Sequence, residues 1–421
     1  MNPAATMNDQ KLARDTLAII LGGGQGERLY PLTRDRAKPA VPFGGVYRII
    51  DFTLSNCVNS GLRRVCILTQ YKSYSLDRHL RLAWTSFDES IGEYIVPIPP
   101  QQRIGERWYL GTADAIYQNI YTLEQERPEY VVILAGDHLY KMNYMDMLRF
   151  HVQNQADITV ACVETPIGDG KRFGVIEVDH TWRIRGFEEK PAHPKHLPDD
   201  PKHCLASMGI YIFSIKPLVQ LVSEDSKRDT THDFGRDILP RVMNDRPVYA
   251  FPFIDQNRKA VKYWRDIGTI DAYYQANMDL VAVDPLFNLY DDTWPIRTFH
   301  QQSPPAKFVF DEAGGRRGTA VSSVVSHGCI IAGGHVVNSV LSPGVRVDAF
   351  AHVEDSILMD RVVIGEGARV RRAIVDKGVV IPPGAHVGYD HNADRRKFTV
   401  SESGIVVIPK GVPETEEFWR S

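Results

Sequence analysis

The sequence predicts two folds in tandem: an α/β domain with a largely parallel sheet, followed by a short parallel β-helix. Three observations carry this. Apolar runs rich in branched residues, LAIIL from Leu17, VCILT from Val65, VVILAG from Val131, ITVACV from Ile158 and MGIYIF from Met208, alternate with helical patterns. After about Asn288 the helical patterns stop. From Val336 the chain then repeats every 17 residues, so that Val340, Ile357 and Ile374 share one column, Val347, Ile364 and Ile381 a second, and Val353, Val370 and Val387 a third. A repeat this short cannot bury its apolar face alone, so its copies must stack. The steps of six inside each copy are the spacing of hexapeptide β-helices.

Taken in order, residues 1–15 form a polar tail and residues 16–290 the α/β domain. Within that domain GVIEVDHTWRIRGF alternates apolar and polar residues across Asp179-His180, which predicts an inserted hairpin. Prolines at 295, 304 and 305 and the run GGRRG mark 291–318 as a linker. The solenoid then occupies 319–421, beginning with an imperfect copy, SVVSHGCII from Ser323, offset by 16 from SVLSPGVRV. About four coils suit subunit contact and regulation better than a long binding groove.

Composition narrows the function classes. A chain of 421 residues exceeds what one core usually organises. Net charge is −3, with no basic block of the kind that tracks a phosphate backbone, so nucleic acid is not an expected partner. The polar N-terminus and the lack of a long apolar run predict a cytoplasmic protein without a membrane span. Five scattered cysteines, Cys57, Cys66, Cys162, Cys204 and Cys329, form no CxxC pair and read as small buried hydrophobes.

The chemistry is concentrated at a few motifs. LAIILGGGQGERLYPLTRDRAKPAVPFGG passes from a strand into a glycine turn, where backbone N–H groups can approach an anion, with Arg28 and Lys38 able to add positive charge. Neither GxGxxG nor a Walker A loop is matched, and a bare tight turn is the alternative. VVILAGDHLY sets Asp137 at the carboxyl edge of a strand, where open α/β sheets bind ligands. YWRDIGT supplies a second acid, Asp266. Two carboxylates from separate loops suit a Mg²⁺ ion that also bridges substrate phosphates; each alone reads equally as a cap or turn residue. In FEEKP, Lys190 can neutralise a sugar phosphate and Glu189 can accept from sugar hydroxyls, unless the two are a solvated surface pair.

These motifs, with YRIIDFTLSNCVNSG, QQR, WYLGTADAIYQN, LASMGIYIF, HDFGRDILP and YWRDIGTIDAYYQANMDL, resemble the ADP-glucose pyrophosphorylase family of bacterial glycogen synthesis over nearly the whole chain. The resemblance implies a Rossmann-like nucleotidyltransferase domain followed by a left-handed parallel β-helix. It also implies the reaction of ATP with glucose 1-phosphate to give ADP-glucose and diphosphate, with Mg²⁺ as cofactor. By the same resemblance Arg28 and Lys38 contact phosphates, while Leu21, Gly22, Gly23, Gly24, Gly26, Gln102, Gly111 and Thr112 surround the nucleotide. Tyr109, Gly174, Glu189, Lys190 and Ser207 surround the sugar phosphate, Asp137 and Asp266 hold the metal, and Gln70 and Trp108 take part in allosteric signalling.

A homotetramer regulated by a sugar phosphate or other glycolytic intermediate is the implied form. Where enteric-type members carry an activator-binding lysine this chain has Asp35, and where they carry a histidine of the inhibitory AMP site it has Pro42, although Arg48 is retained. The activator is therefore expected to differ. Rival readings are a non-catalytic regulatory subunit, an enzyme preferring UTP or dTTP, and an acyltransferase using His327, His335, His352 or His386 of the coils.

Overall fold

A computed structural model describes residues 8–24, 26–85, 87–101, 108–259, 261–312 and 314–420. The α/β part is organised on nine strands: β1 (Thr16–Leu21), β2 (Arg64–Leu68), β3 (Tyr94–Ile98), β4 (Tyr130–Ala135), β5 (Ile158–Pro166), β6 (Gly174–Val178), β7 (Ile184–Glu189), β8 (His203–Ser214) and β9 (Val248–Pro252). The order is β7-β6-β8-β4-β1-β2-β3, with β5 on β8 and β9 on β5. Pairing is parallel through β4, β1, β2 and β3 and again between β5 and β9. β8 runs antiparallel to β4, β5 and β6, and the hairpin β6-β7 turns at Asp179–Arg183. Branched apolar side chains of β1, β4 and β5 are buried on both faces, as strands covered by helices on two sides require. All five cysteines are free and buried.

The second part is a three-sided parallel solenoid, with sheets of five, five and six strands, the last of which ends in the antiparallel strand Thr399–Val400. Val340, Ile357 and Ile374 are register partners, as are Val347, Ile364 and Ile381, and Val353, Val370 and Val387. The imperfect copy also falls into line, Val324 on Val340 and Ile331 on Val347.

Two boundaries differ from expectation. The solenoid starts inside the stretch expected to be linker, because Lys307–Val309 pairs in parallel with Ile330–Ala332. The offset there is longer than the repeat, because the chain makes a GGRRG excursion before Thr319, and a fixed period misses it. Helices also return near the end: His391–Lys397, whose N-cap Asp390 accepts from the amides of Asn392 and Ala393, and Glu416–Arg420.

The two parts are tied by a shared apolar cluster, in which Leu29, Leu32, Phe43 and Tyr273 pack with Ile357, Met359, Ile374 and Val407. At its rim the guanidinium of Arg36 donates to both carboxylate oxygens of Asp376, each at 2.9 Å, with both side chains buried. Tyr274 donates to the carbonyl of Asp355 at 2.7 Å, and the Ser401 hydroxyl donates to Asp271 at 2.7 Å. Among the described residues no helix is long and apolar enough to cross a membrane.

Candidate active site

The carboxyl ends of β1 and β4 open onto a cavity of about 710 Å³. After β1 the chain breaks into its glycines. The Gly22 amide donates to the carbonyl of Leu68 at 2.9 Å, which holds the loop against β2. Gly26 has a φ of +68°, which a side chain would strain, and from it a short turn, Glu27–Leu29, carries Arg28 back over the cleft.

Asp137 follows the end of β4, and a small ribbon explains how Asp266 reaches it. His138–Tyr140 pairs antiparallel with Trp264–Asp266, and Asp266 lies opposite His138. Ligating atoms of Asp137, His138 and Asp266 lie within 4.8 Å of one another. Gly268 leaves room there: a Cβ at that position would stand 3.0 Å from Nη2 of Arg28 and 3.1 Å from the Asp266 carboxylate.

Electrostatics keep the Asp137 carboxylate charged. Burial pushes the Asp137 carboxyl up, but Lys38, His138 and Arg28 together outweigh it and hold the group down at about 2. Lys38 shifts the other way: burial lowers its pKa, and the charges of Asp137 and Asp266 raise it further than burial lowers it.

Opposite this group stands the hairpin. Lys190, at φ +51°, is anchored by its amide to the carbonyl of Phe173 at 3.0 Å, and its ammonium lies 3.0 Å from Glu189. Gly174 is required by the same packing, since a Cβ there would stand 2.4 Å from the Phe187 ring and 2.9 Å from the Glu189 carboxylate. On the third side Gly111 lies so close to the carbonyls of Thr231 and His232 that a Cβ would approach both at 2.3 Å. Thr112 donates to Asp233 at 3.1 Å and accepts from the Phe234 amide at 3.0 Å.

The cavity thus gathers Leu21, Gly23, Gly24, Arg28, Gln70, Tyr109, Gly111, Thr112, Asp137, Gly174, Glu189, Lys190, Ser207 and Asp266 from the expected set. The other expected residues do not line it. Gly22 and Gly26 shape the loop but do not line the cavity. Lys38 is not among the residues that line it: its ammonium stands 2.7 Å from Asp137 and 3.4 Å from Asp266, two acids of the wall. Its local sequence advertises charge but not which anion receives it. Trp108 is half-exposed and stacks on Tyr71, the neighbour of Gln70, at 4.9 Å. Gln102 lies outside the described residues.

The wall also contains groups that motif reading passed over: His138, Lys171, Arg172, Tyr211, Asp233 and Trp264. The pair KR directly before FGVIEV, and the acid of HDFGRD, were the available signals.

A second cavity, of about 580 Å³, lies between the two parts of the chain and is the one Arg48 lines. Its walls include Arg36, Arg78, Arg361, Lys377 and Lys410, against Asp35 and Asp360. Asp35 is engaged by Arg34 at 3.2 Å and Lys410 at 3.3 Å. Burial and the neighbouring Arg48 push the Lys377 ammonium down to about 8, against the pull of Asp360. Nε2 of His327, at the same wall, is buried without a hydrogen-bond partner among the described residues.

Residues 17–282 match the family described as Nucleotidyl transferase, and residues 304–408 match the GlmU-like C-terminal hexapeptide family. The chain is 55% identical to a glucose-1-phosphate adenylyltransferase of Rhodopirellula baltica over 97% of its own length and 93% of the relative's. It is 54% identical to one of Koribacter versatilis, covering 94% and 95%, and 51% identical to glucose-1-phosphate adenylyltransferase 2 of Vibrio vulnificus, covering 94% and 99%.

Proposed function

Because this chain belongs to the nucleotidyl transferase family, and within it to the glucose-1-phosphate adenylyltransferases, we propose that it joins ATP to glucose 1-phosphate, giving ADP-glucose and diphosphate in the route to glycogen. The observation that carries this reading is the convergence of Arg28, Asp137, Lys190 and Asp266, from four distant segments, on one cavity. A phosphate oxygen of the sugar attacks the α-phosphorus in line and diphosphate leaves, so the protein has to position and stabilise charge and needs no nucleophile of its own.

The residues divide the work by location. Gly23 and Gly24 offer backbone N–H groups to the triphosphate, and Arg28 faces the departing phosphates. Gly111 and Thr112 flank the nucleotide, and Lys190 meets the phosphate of the sugar. Glu189, Tyr109 and Ser207 face its hydroxyls. Asp137 and Asp266 fit a divalent cation, since they present hard oxygens at one point beside the phosphate path; Mg²⁺ there would offset charge on the α-phosphate and the leaving group.

Diphosphate release from the purified chain with Mg²⁺ and glucose 1-phosphate, compared across ATP, UTP, dTTP and GTP, tests the reading. Turnover with ATP above all others is expected. Preference for UTP or dTTP would overturn the base assignment, and no turnover at all would favour a regulatory subunit. Lys190→Ala should raise KM for glucose 1-phosphate about 10- to 100-fold, the loss of one charged hydrogen bond, with kcat much less changed. An unchanged KM would remove Lys190 from the sugar site.

The second cavity supports allosteric control by an anion, because its cations outnumber its acids and the ammonium of Lys377, paired with Asp360 at 2.7 Å, also feels the charge of Arg48. Lys377 is charged below about pH 8 and neutral above it, so activation by such an anion should weaken between pH 7 and 9. The apparent activation constant of any sugar phosphate that activates, measured across that range, checks the sign; Lys377→Met should flatten the profile. The homotetramer is proposed on the solenoid's flat sides, which suit symmetric packing.

A further inference from the structure

We propose that Lys38 is a built-in cation of the metal site: its ammonium holds Asp137 and Asp266 together in the free protein, and a divalent ion has to displace it. The inference rests on the reading of those two aspartates as the cation site.

Two carboxylates this close repel one another, and without a positive charge between them they would move apart or take up a proton. Here the positive charge is supplied by the protein. Nζ of Lys38 stands 2.7 Å from Asp137 and 3.4 Å from Asp266. Among the described residues those two carboxylates are the only acceptors it has. The side chain is buried, so water does not compete for the ammonium.

The backbone behind it is fixed. Two residues earlier Arg36 is clamped to Asp376 of the solenoid, and the Ala37 amide donates to the carbonyl of Lys72 at 3.2 Å. What can move is the lysine stem. A divalent ion between the aspartates repels the ammonium, and the triphosphate in the adjoining cavity gives it another anion to meet. The arrangement therefore predicts that the free protein binds metal weakly and the nucleotide-loaded protein binds it well. Lys38 acts here as a positioning residue, keeping the two ligands at the spacing the ion needs.

The test is Mn²⁺ binding to the full chain without nucleotide, read from the paramagnetic resonance signal of free Mn²⁺. Lys38→Met removes the competitor and should tighten Mn²⁺ binding by about 10-fold or more. Lys38→Arg keeps the charge and offers a planar fork suited to two carboxylates, so it should weaken binding several-fold. Circular dichroism establishes that each variant is folded, and if Lys38→Met is not, Lys38→Arg decides alone. Unchanged or weaker binding in Lys38→Met, or unchanged or tighter binding in Lys38→Arg, overturns the proposal. Asp137→Asn separates the two layers. If it abolishes Mn²⁺ binding while the Lys38 variants change nothing, only the role of Lys38 fails. If it leaves Mn²⁺ binding intact, the aspartates are not the cation site.

Discussion

Asp137→Asn is expected to lower turnover by at least about 100-fold while leaving the protein folded. The substitution keeps the shape of the side chain and removes the charge on which the proposed cation site depends. Its structural cost is small because the group is a third exposed and Lys38 retains Asp266 at 3.4 Å. Single-turnover formation of diphosphate, with a thermal melt alongside, checks both halves. Near-normal turnover would remove Asp137 from the reaction. Acidification gives a related expectation. The folded-state pKa lies near 2, below the ordinary value of 3.8, so the ion pair contributes in full above about pH 4 and loses its contribution only as pH falls toward 2.

Asp376→Ala is expected to destabilise the chain by about 3–5 kcal/mol, because it strands a buried guanidinium that, among the described residues, has no other carboxylate against it. The midpoint of urea unfolding reads the loss. The double variant Arg36→Met with Asp376→Leu should recover most of it, since a pair of apolar side chains replaces a pair of charges that had to be stripped of water. Recovery by the double variant would show that the bridge serves geometry more than stability. A midpoint unmoved in Asp376→Ala would show that Arg36 finds another partner.

The periodic parts of the molecule were legible because one physical constraint repeats. Each coil must point an apolar side chain inward at the same station, so Val340, Ile357 and Ile374 announce both the solenoid and its register. The first rung was not legible. Lys307–Val309 obeys the same constraint, but the excursion before Thr319 breaks the count. In the site, strand ends and glycine turns revealed where Asp137 and the glycine loop lie, since both depend on local sequence. The ribbon that carries Asp266 to Asp137 is only three residues on each side, too short for any alternation to stand out. The fate of Lys38 was illegible for a different reason: its charge is written in the sequence, but its partners lie 99 and 228 residues away.

The excursion between the first rung and Thr319 also bears on how this chain can change length. Gly318 and Thr319 re-enter the coil by hydrogen bonds to Phe310 and Gly334, so residues added between those anchor points lengthen a loop whose ends stay fixed. The segment Arg36–Lys38 has no such slack, because Arg36 is seated in the solenoid and Lys38 between the aspartates, with one residue separating them. Insertions and affinity tags should therefore be tolerated in the turn before Thr319. A single residue added between Arg36 and Lys38 would force one of the two cations out of its seat.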